Sequence, residues 1–521
     1  MTADILAAIH AFLSQHSQAG CRLVSDSRQI NVGDIFVAYP GQQQDGRQYI
    51  ERAIAQGAVA ILYESLGSSS LPTTVPMLAV RDLKNQCSEI AAHFYGEPAR
   101  QLWNIGVTGT NGKTSCTQWI AQAFAQLGRS CAVIGTLGQG LSGTLTVTQN
   151  TTPDALELQG MLRSFVAAGA VAQAMEVSSI GLEQGRVSAI PFQVALFTNL
   201  SRDHLDYHGT MDNYAAAKAR LFQFQSVQHS VLNLDDPAAA RMIQANGEAC
   251  SVAGKVIGYQ IGQQIRPSWC DALLQASHIQ YTPHGVQFTL DSDWGRAEVC
   301  APVMGQFNVS NLLGVLGVLL ASHVSLNDAV QAMEHIQSVA GRMQVVTTTT
   351  FNTPTPASAL PLVVVDYAHT PDALEKCLQA LQPIAHQRQG QLHCLFGCGG
   401  ERDAGKRPLM GAVAAAYSDS VMLTNDNPRS EDPATILQHI QSGISPETAY
   451  QVQPNRAQAI QQVIEQAQAQ DVVLLAGKGH EAYQEIAGVR TPFLDSEHAQ
   501  KALQNWVVVQ ANYAHTQQVL I

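Results

Sequence analysis

The sequence predicts an α/β protein of three domains, with the second and third built on parallel sheets. Three observations carry this expectation. The chain has 521 residues, which suits three domains at about 100–200 residues each. Short runs rich in Val, Ile and Leu recur along it, each leading into a polar loop and then a helical stretch, as β-α units of an open sheet do. Hydrophobic residues make up 46% and charged ones 13%, a balance that fits large buried cores. The expected domains are residues 1–98, 99–341 and 342–521.

Residues 1–98 read as a separate α/β module. Ile5 to Phe12 is a short amphipathic helix, and Ser25-Asp-Ser-Arg28 is a polar turn. Gly33 to Tyr39 is a turn feeding a buried strand, which Pro40-Gly41 ends. Gln42-Gln43-Gln44 opens a polar loop, Tyr49 to Gln56 is helical, and Ala58 to Tyr63 is a strand. The module carries no evident catalytic set, and its polar loops are equally readable as plain connections.

The second region turns on Asn104 to Thr117, N-I-G-V-T-G-T-N-G-K-T-S-C-T. It reads as strand, phosphate loop and helix, the core of a P-loop ATPase-like sheet. Gly106, Gly109 and Gly112 let backbone N–H groups approach a polyphosphate, and the helix N-terminus adds partial positive charge. The loop Gly109-Thr110-Asn111-Gly112-Lys113-Thr114-Ser115 is therefore the expected ATP site. Lys113 would neutralise the β- and γ-phosphates, and Thr114 would offer its hydroxyl to Mg²⁺. The spacing departs from the Walker pattern, since Val107 stands where its first glycine belongs. The bland alternative is a structural glycine turn.

Further along, Ala172 to Ser178 is a strand ending in polar residues, and a carboxylate at such an end, Glu176, can hold a metal. Val194 to Leu200 is a strand running into S-R-D-H-L-D-Y-H from Ser201, a second candidate site. Lys218 lies on a helix from Met211 to Phe222 and reads, taken alone, as a solvated lysine. Phe288 to Cys300 alternates like a hairpin, and Gly305 opens a long apolar helix.

In the third region Thr347 to Leu360 is rich in Thr and Pro and reads as a mobile surface loop. Four strands each lead into a polar loop: Asp366-Tyr-Ala-His-Thr-Pro-Asp372, Gly397-Cys-Gly-Gly-Glu-Arg-Asp403, Asp426-Asn-Pro-Arg429 and Gly477-Lys-Gly-His-Glu481. This is a Rossmann-like open sheet, with sites at the C-terminal strand ends.

Composition excludes several functions. A net charge of −12 argues against nucleic acid as a partner, so an anionic ligand needs a local positive cluster. Asp4 and the lack of early basic residues give no leader signal. No apolar run reaches the ~18 residues that span a membrane. The ten cysteines are scattered without a Cys-x-x-Cys pair, and Cys394 and Cys398 lie four apart with no second pair. They read as reduced core residues of a cytoplasmic protein. A monomer is expected.

Assembled in order, the motifs become specific. They are T-G-T-N-G-K-T from Thr108, N-T-T-P-D from Asn150, M-E-V-S-S from Met175, D-H-L-D-Y-H-G from Asp203, N-V-S-N from Asn308, G-R-M from Gly341, D-Y-A-H-T-P-D from Asp366 and G-K-G-H-E from Gly477. On these the chain resembles the Mur ligase family of peptidoglycan synthesis along nearly its whole length. It is most similar to the members that add a diamino acid to UDP-N-acetylmuramoyl-L-alanyl-D-glutamate. D-N-P-R is the pattern of those that use meso-diaminopimelate.

The resemblance implies an N-terminal nucleotide-sugar module and an ATP-dependent ligase. ATP would phosphorylate the γ-carboxylate of D-glutamate, and the diaminopimelate amine would attack the acyl phosphate. It implies that Thr114 and Glu176 hold one magnesium, and that His204, Glu176 and Lys218 serve a second. The match around A-K-A-R-L-F makes Lys218 a lysine carbamylated from CO₂. Asn308 and Asn311 resemble adenine-pocket residues, and Arg342 and Asp366 would contact phosphate and ribose. Ser25, Ser27 and Gln42, Gln43 and Gln44 would surround the uridine diphosphate. Asn150, Thr151, Thr152, Ser178, Gln184 and Arg186 would line the muramoyl-dipeptide channel, with Arg186 facing an anionic group. Ile180 stands where related sequences have His in S-S-H.

Diaminopimelate differs from lysine by a second α-amino-acid centre, so its pocket needs a fixed cation and a fixed anion or carbonyl. Arg429 offers a planar fork for the carboxylate, on a loop with Asp426 and Asn427 that Pro428 stiffens. Arg402 is a second candidate cation, and Glu481 and the Gly477 carbonyl could meet the ammonium. Two other readings compete. A folylpolyglutamate synthetase type would share the ATPase layout but lack the N-terminal module and D-N-P-R. A P-loop regulator without a ligase step would leave Glu176, His204 and Lys218 unused.

Overall fold

The computed structural model describes residues 3–41, 44–67, 74–141, 143–148, 150–244, 254–262, 265–282, 285–347, 349–350, 353–354 and 360–519. Gln42 and Gln43, and much of the Thr347–Leu360 stretch read as a mobile loop, lie outside them.

The first sheet has four parallel strands in chain order, β1 (Leu23–Val24), β2 (Ile35–Ala38), β3 (Ala60–Glu64) and β4 (Met77–Val80). β2 is buried along its whole length, so it reads as an unbroken apolar run rather than an alternating one. The helix Leu83–Phe94 closes the module, its Cys87, Ile90 and Ala91 buried in the same core as Leu62 and Val80.

The second sheet has ten strands: β5 (Trp103–Thr108), β6 (Cys131–Gly135), β7 (Gly138–Leu141), β8 (Ala172–Glu176), β9 (Phe192–Phe197), β10 (His229–Asn233), β11 (Lys255–Ile261), β12 (Ala272–Thr282), β13 (Gly285–Ser292) and β14 (Gly295–Ala301). Their order is β14-β13-β12-β11-β10-β9-β5-β8-β6-β7. From β12 to β6 every pair is parallel. β13, β14 and β7 join antiparallel at the two margins. The helices Lys113–Gln126 and Gln306–Ala321 share one face in a continuous apolar core, and a second core fills the other face. The phosphate loop follows the central strand β5, the usual ligand position of such a sheet.

The third domain begins with β15 (Gln344–Val345) and a short hairpin, β16 (Thr349–Thr350) and β17 (Thr353–Pro354). Its main strands are β18 (Leu362–Asp366), β19 (Leu392–Phe396), β20 (Ser420–Leu423), β21 (Tyr450–Val452) and β22 (Val472–Ala476), ordered β15-β18-β22-β19-β20-β21. Only β15 runs antiparallel in this sheet. A hairpin, β23 (Tyr483–Ile486) and β24 (Val489–Pro492), leads to the helix Asp495–Val519. The four polar loops after β18, β19, β20 and β22 therefore converge on one edge.

A buried ion pair underlies that edge. Arg456 and Asp495 are both fully buried and 2.7 Å apart, and Arg456 also donates to the Ala476 carbonyl at 2.9 Å. Such a pair adds little net stability, but removing one partner costs about 3–5 kcal/mol. It fixes the root of the loop that β22 feeds.

Candidate active site

The phosphate loop needs its glycines. Gly109 has φ +147°, and a Cβ there would strike Thr198 Oγ1; Gly112 has φ +84°, and a Cβ would strike Asn311 Oδ1. The loop is tied down from β9. Asn111 N donates to Asn199 Oδ1 at 2.9 Å, Thr198 Oγ1 donates to the Asn111 carbonyl at 2.6 Å, and Ser201 N donates to Thr110 Oγ1 at 3.0 Å. Thr114 and Ser115 are buried in the first turn of the helix that Lys113 opens.

Two lysines meet on one carbonyl. Lys113 Nζ donates to the Gly109 and Thr110 carbonyls, each at 2.8 Å. Lys218 Nζ donates to the same Gly109 carbonyl at 2.8 Å and lies 4.3 Å over the Tyr214 ring. Lys218 is 1% exposed, so the solvated-lysine reading is wrong: the helix Met211–Ala219 turns this residue into the core. Burial, and then Lys113, hold the Lys218 ammonium well below its usual pKa. Burial also lowers Lys113.

Glu176 ends β8 and is 1% exposed. Its carboxylate accepts Thr136 N at 2.9 Å and Thr136 Oγ1 at 3.1 Å, and Thr136 Oγ1 lies 3.1 Å from Thr151 Oγ1. Gly135 is required beside it, because a Cβ would strike Glu176 Oε1. His204 sits at φ +52°, with Nε2 3.4 Å from Asp203 Oδ2. Burial lowers the His204 pKa, against the pull of Asp203. Among the described residues no three His, Cys, Asp or Glu side chains are grouped to hold a metal. The donors near the loop are instead single oxygens, Thr114 Oγ1 and Glu176. That fits magnesium, which binds one or two carboxylates and completes its shell with phosphates and water.

The third domain reaches this loop directly. Arg342 Nη2 donates to Thr114 Oγ1 at 3.1 Å and its guanidinium lies 4.5 Å over Tyr367. Asn111 Nδ2 donates to Asp372 Oδ2 at 3.1 Å. Arg202 pairs with Asp403 at 3.3 Å. Asp366 is buried and accepts Met343 N at 2.7 Å; burial raises its pKa while Arg342 opposes. Asn308 Nδ2 donates to the Met304 carbonyl at 2.8 Å, and Asn311 Nδ2 donates to Asn308 Oδ1 at 3.1 Å. Both asparagines are buried, with Asn311 against Gly112.

The expected nucleotide-sugar residues divide into two groups. A cavity of about 410 Å³ is lined by Ser25, Ser27, Arg28, Tyr39, Gln44 and Arg52, among others. A second, of about 710 Å³, reaches from Ser25 to Asn150 and Asp154. Ser25 Oγ donates to Asp154 Oδ2 at 3.0 Å, joining the first domain to the second. Thr152 is 1% exposed and donates to the Glu176 carbonyl at 2.8 Å, and Ser178 Oγ caps the next helix at Gly181 N. Arg186 spends three of its five N–H donors within the protein. It donates to Gln184 Oε1 at 2.7 and 3.0 Å and to the Thr152 carbonyl at 2.6 Å.

The loop edge of the third sheet is tightly interlocked. Gly400 N donates to the Asn427 carbonyl at 2.9 Å, and Arg429 Nη1 donates to the Gly400 carbonyl at 2.6 Å. Arg429 has φ +55°, held by backbone bonds to Glu485 and Ala487. Arg402 is exposed on the facing loop. Gly477 has φ +110°, and a Cβ would press on Asp426 Oδ2 at 2.6 Å. Asn427 Nδ2 donates to Glu481 Oε2 at 2.7 Å. Sequence reasoning missed two supports here, Thr136 beneath Glu176 and Lys478 beneath Glu481. Lys478 lies inside the G-K-G-H-E motif and Thr136 in a turn far from Glu176 in sequence, and neither position says which carboxylate its side chain meets.

The comparisons cover nearly the whole chain. Residues 23–95 match the Mur ligase family, catalytic domain; residues 107–319 the Mur ligase middle domain; and residues 341–479 the Mur ligase, glutamate ligase domain. The UDP-N-acetylmuramoyl-L-alanyl-D-glutamate--2,6-diaminopimelate ligase of Janthinobacterium sp. (strain Marseille) is 47% identical over 515 residues, 98% of this chain and 99% of that protein. A solved structure of a ligase of that same name is 38% identical, with TM-score 0.63 over 93% of this chain and 94% of the other. The MurF ligase of Thermotoga maritima in complex with ADP shares the fold at 16% identity, with TM-score 0.64 over 98% of this chain and 100% of the other. With relatives this similar over nearly their full length, the chain belongs to the Mur ligase family.

Proposed function

We propose that the chain is an ATP-dependent ligase that joins meso-2,6-diaminopimelate to the D-glutamate γ-carboxylate of UDP-N-acetylmuramoyl-L-alanyl-D-glutamate. The observation that carries this is the meeting of two sites. The third domain, with its D-N-P-R and G-K-G-H-E loops, bonds to the phosphate loop through Arg342 to Thr114 and Asp372 to Asn111. Relatives of that named activity support it along the whole length.

The chemistry is mostly positioning and charge neutralisation. Lys113 and the N–H groups from Gly109 to Ser115 hold the β- and γ-phosphates. Arg342 lies within reach of the same oxygens. Asn308, Asn311 and Asp366 serve adenine and ribose, the asparagines by shaping the pocket from beneath. Thr114 and Glu176 would hold one magnesium, and His204, Glu176 and carbamylated Lys218 a second; bound magnesium would neutralise phosphate charge. Carbamylation suits Lys218. A buried amine of lowered pKa is available to CO₂, and the product replaces two crowded ammoniums with an opposite pair. Ser25, Ser27, Gln42, Gln43 and Gln44 serve the uridine diphosphate. Asn150, Thr151, Thr152, Ser178, Gln184 and Arg186 serve the muramoyl dipeptide. Arg402, Asp426, Asn427, Pro428, Arg429, Gly477 and Glu481 serve diaminopimelate. The domains are taken as 1–98, 99–341 and 342–521, in a cytoplasmic monomer.

Phosphate release from ATP tests the ligase step. Release should require UDP-dipeptide and diaminopimelate together. Release indifferent to both substrates would favour a P-loop regulator instead.

A further inference from the structure

Lys478 is the least exposed charged side chain on the loop edge, at 0%. Its ammonium has three protons and three acceptors. They are the Tyr483 carbonyl at 2.6 Å, Asn427 Oδ1 at 3.2 Å and Glu481 Oε2 at 3.2 Å. Asn427 Oδ1 also accepts Glu485 N at 2.9 Å. With its oxygen committed twice, the Asn427 amide can only turn its Nδ2 toward Glu481, where it donates to Oε2 at 2.7 Å. Glu481 Oε2 therefore takes two strong donors. Its other oxygen, Oε1, has the Tyr367 hydroxyl at 3.5 Å, too long for a strong bond.

We propose that Lys478 is a positioning cation of the diamino-acid pocket: by locking Asn427 and Glu481 Oε2, it leaves Glu481 Oε1 aimed at a substrate ammonium. The inference rests on the diaminopimelate reading given above. Lys478 touches no substrate itself and acts through Glu481.

Charge supports the geometry. Burial and then Asp426 push the Glu481 carboxyl upward, and Lys478 draws it back. The other groups facing Glu481 are Tyr367, Arg456 with its partner Asp495, and Arg490. Arg456 is already neutralised by Asp495, and Arg490 pairs with Glu485 at 2.9 Å. Lys478, 3.2 Å from Glu481 Oε2, is thus the contacting cation that favours the ionised form. Without it, Glu481 stays protonated to a higher pH, and a protonated acid attracts an ammonium poorly.

The test compares Lys478→Met, Glu481→Gln and the double variant with the wild type, using meso-diaminopimelate, ATP and UDP-dipeptide. Lys478→Met should raise the KM for diaminopimelate at least about tenfold, with kcat and the other two KM values changed less than about threefold, as loss of uniform binding predicts. Its KM should climb on acidification from a higher pH than in the wild type. Added to Glu481→Gln, Lys478→Met should change KM by less than about threefold, because both act on one contact. If Lys478→Met does not fold, Lys478→Arg keeps the charge but not the three-acceptor fit, and should show the same selective rise in KM. Equal loss toward all three substrates, additivity with Glu481→Gln, or an unchanged diaminopimelate KM in a folded variant would overturn the proposal. A wild type that ignores diaminopimelate altogether would instead overturn the functional reading.

Discussion

Lys113→Ala should leave a folded protein whose turnover falls at least about 100-fold, in line with losing a charged group aimed at developing negative charge. The side chain contributes little to the fold. Among the described residues it is bonded to carbonyls of its own loop, Gly109 and Thr110 at 2.8 Å, and burial already disfavours its charge. Phosphate would give it a better partner than those carbonyls, so its value appears when ATP binds. Circular dichroism and thermal melting check the fold, and steady-state phosphate release checks the rate. Near-normal turnover by a folded Lys113→Ala protein would remove the phosphate loop from the mechanism.

Lys218→Ala should be about as damaging, for a different reason. The wild-type ammonium is 1% exposed and shares the Gly109 carbonyl with Lys113. Two cations on one carbonyl oxygen are a poor arrangement unless one of them changes charge. If Lys218 is carbamylated, alanine deletes a carboxylate-like oxygen pair and leaves room where it stood. Activity should then fall at least about 100-fold, and a small added carboxylate such as acetate should restore part of it. Restoration must be absent in Lys113→Ala, whose loss is of a cation. A fully active Lys218→Ala protein, or one that no carboxylate improves, would count against the carbamate.

Much of the fold was legible because its strands announce themselves. Leu362-Val-Val-Val, Val472-Val-Leu-Leu and Ile35-Phe-Val-Ala38 are buried on both faces, so nothing in them competes with the strand reading. β11 and β12 were not read. β12 carries Gln275, Ser277 and Gln280 among its apolar residues and breaks register between Ser277 and Gln280, which blurs its period. The helix expected from Met211 to Phe222 tightens to a 3-10 turn after Ala219, a change that propensity does not register.

The site was legible as a set of motifs but not as a set of contacts. Sequence gives Glu176 and Glu481 as acids at strand ends. It cannot say that Thr136, from another turn of chain, and Lys478, from the same loop, hold one carboxylate each. Without the match around A-K-A-R-L-F it reads Lys218 as a surface lysine, because its neighbours are alanines, which suit a buried helix face equally well. It offers Arg186 to an anion without showing that Gln184 and the Thr152 carbonyl hold three of its five N–H donors. Thr136 to Glu176 and Arg186 to Thr152 are long-range bonds, and where Lys478 meets Glu481 within one loop the sequence does not say which way either side chain turns.

The third domain should select a diamino acid with two α-amino-acid centres. The most direct measurement is a competition between equal concentrations of meso-diaminopimelate and L-lysine, with products resolved by mass, for wild-type and Arg429→Ala protein. Arg429 anchors to Gly400 through one nitrogen, and its other donors would serve the distant carboxylate. Arg429 is half-buried, and a partly desolvated pocket cation without its anion disfavours lysine. The wild type should form the diaminopimelate product at least about 100-fold over the lysine product, and Arg429→Ala should narrow that ratio at least about tenfold. A wild type that ligates lysine as readily, or an Arg429→Ala protein with its preference intact, would contradict the account.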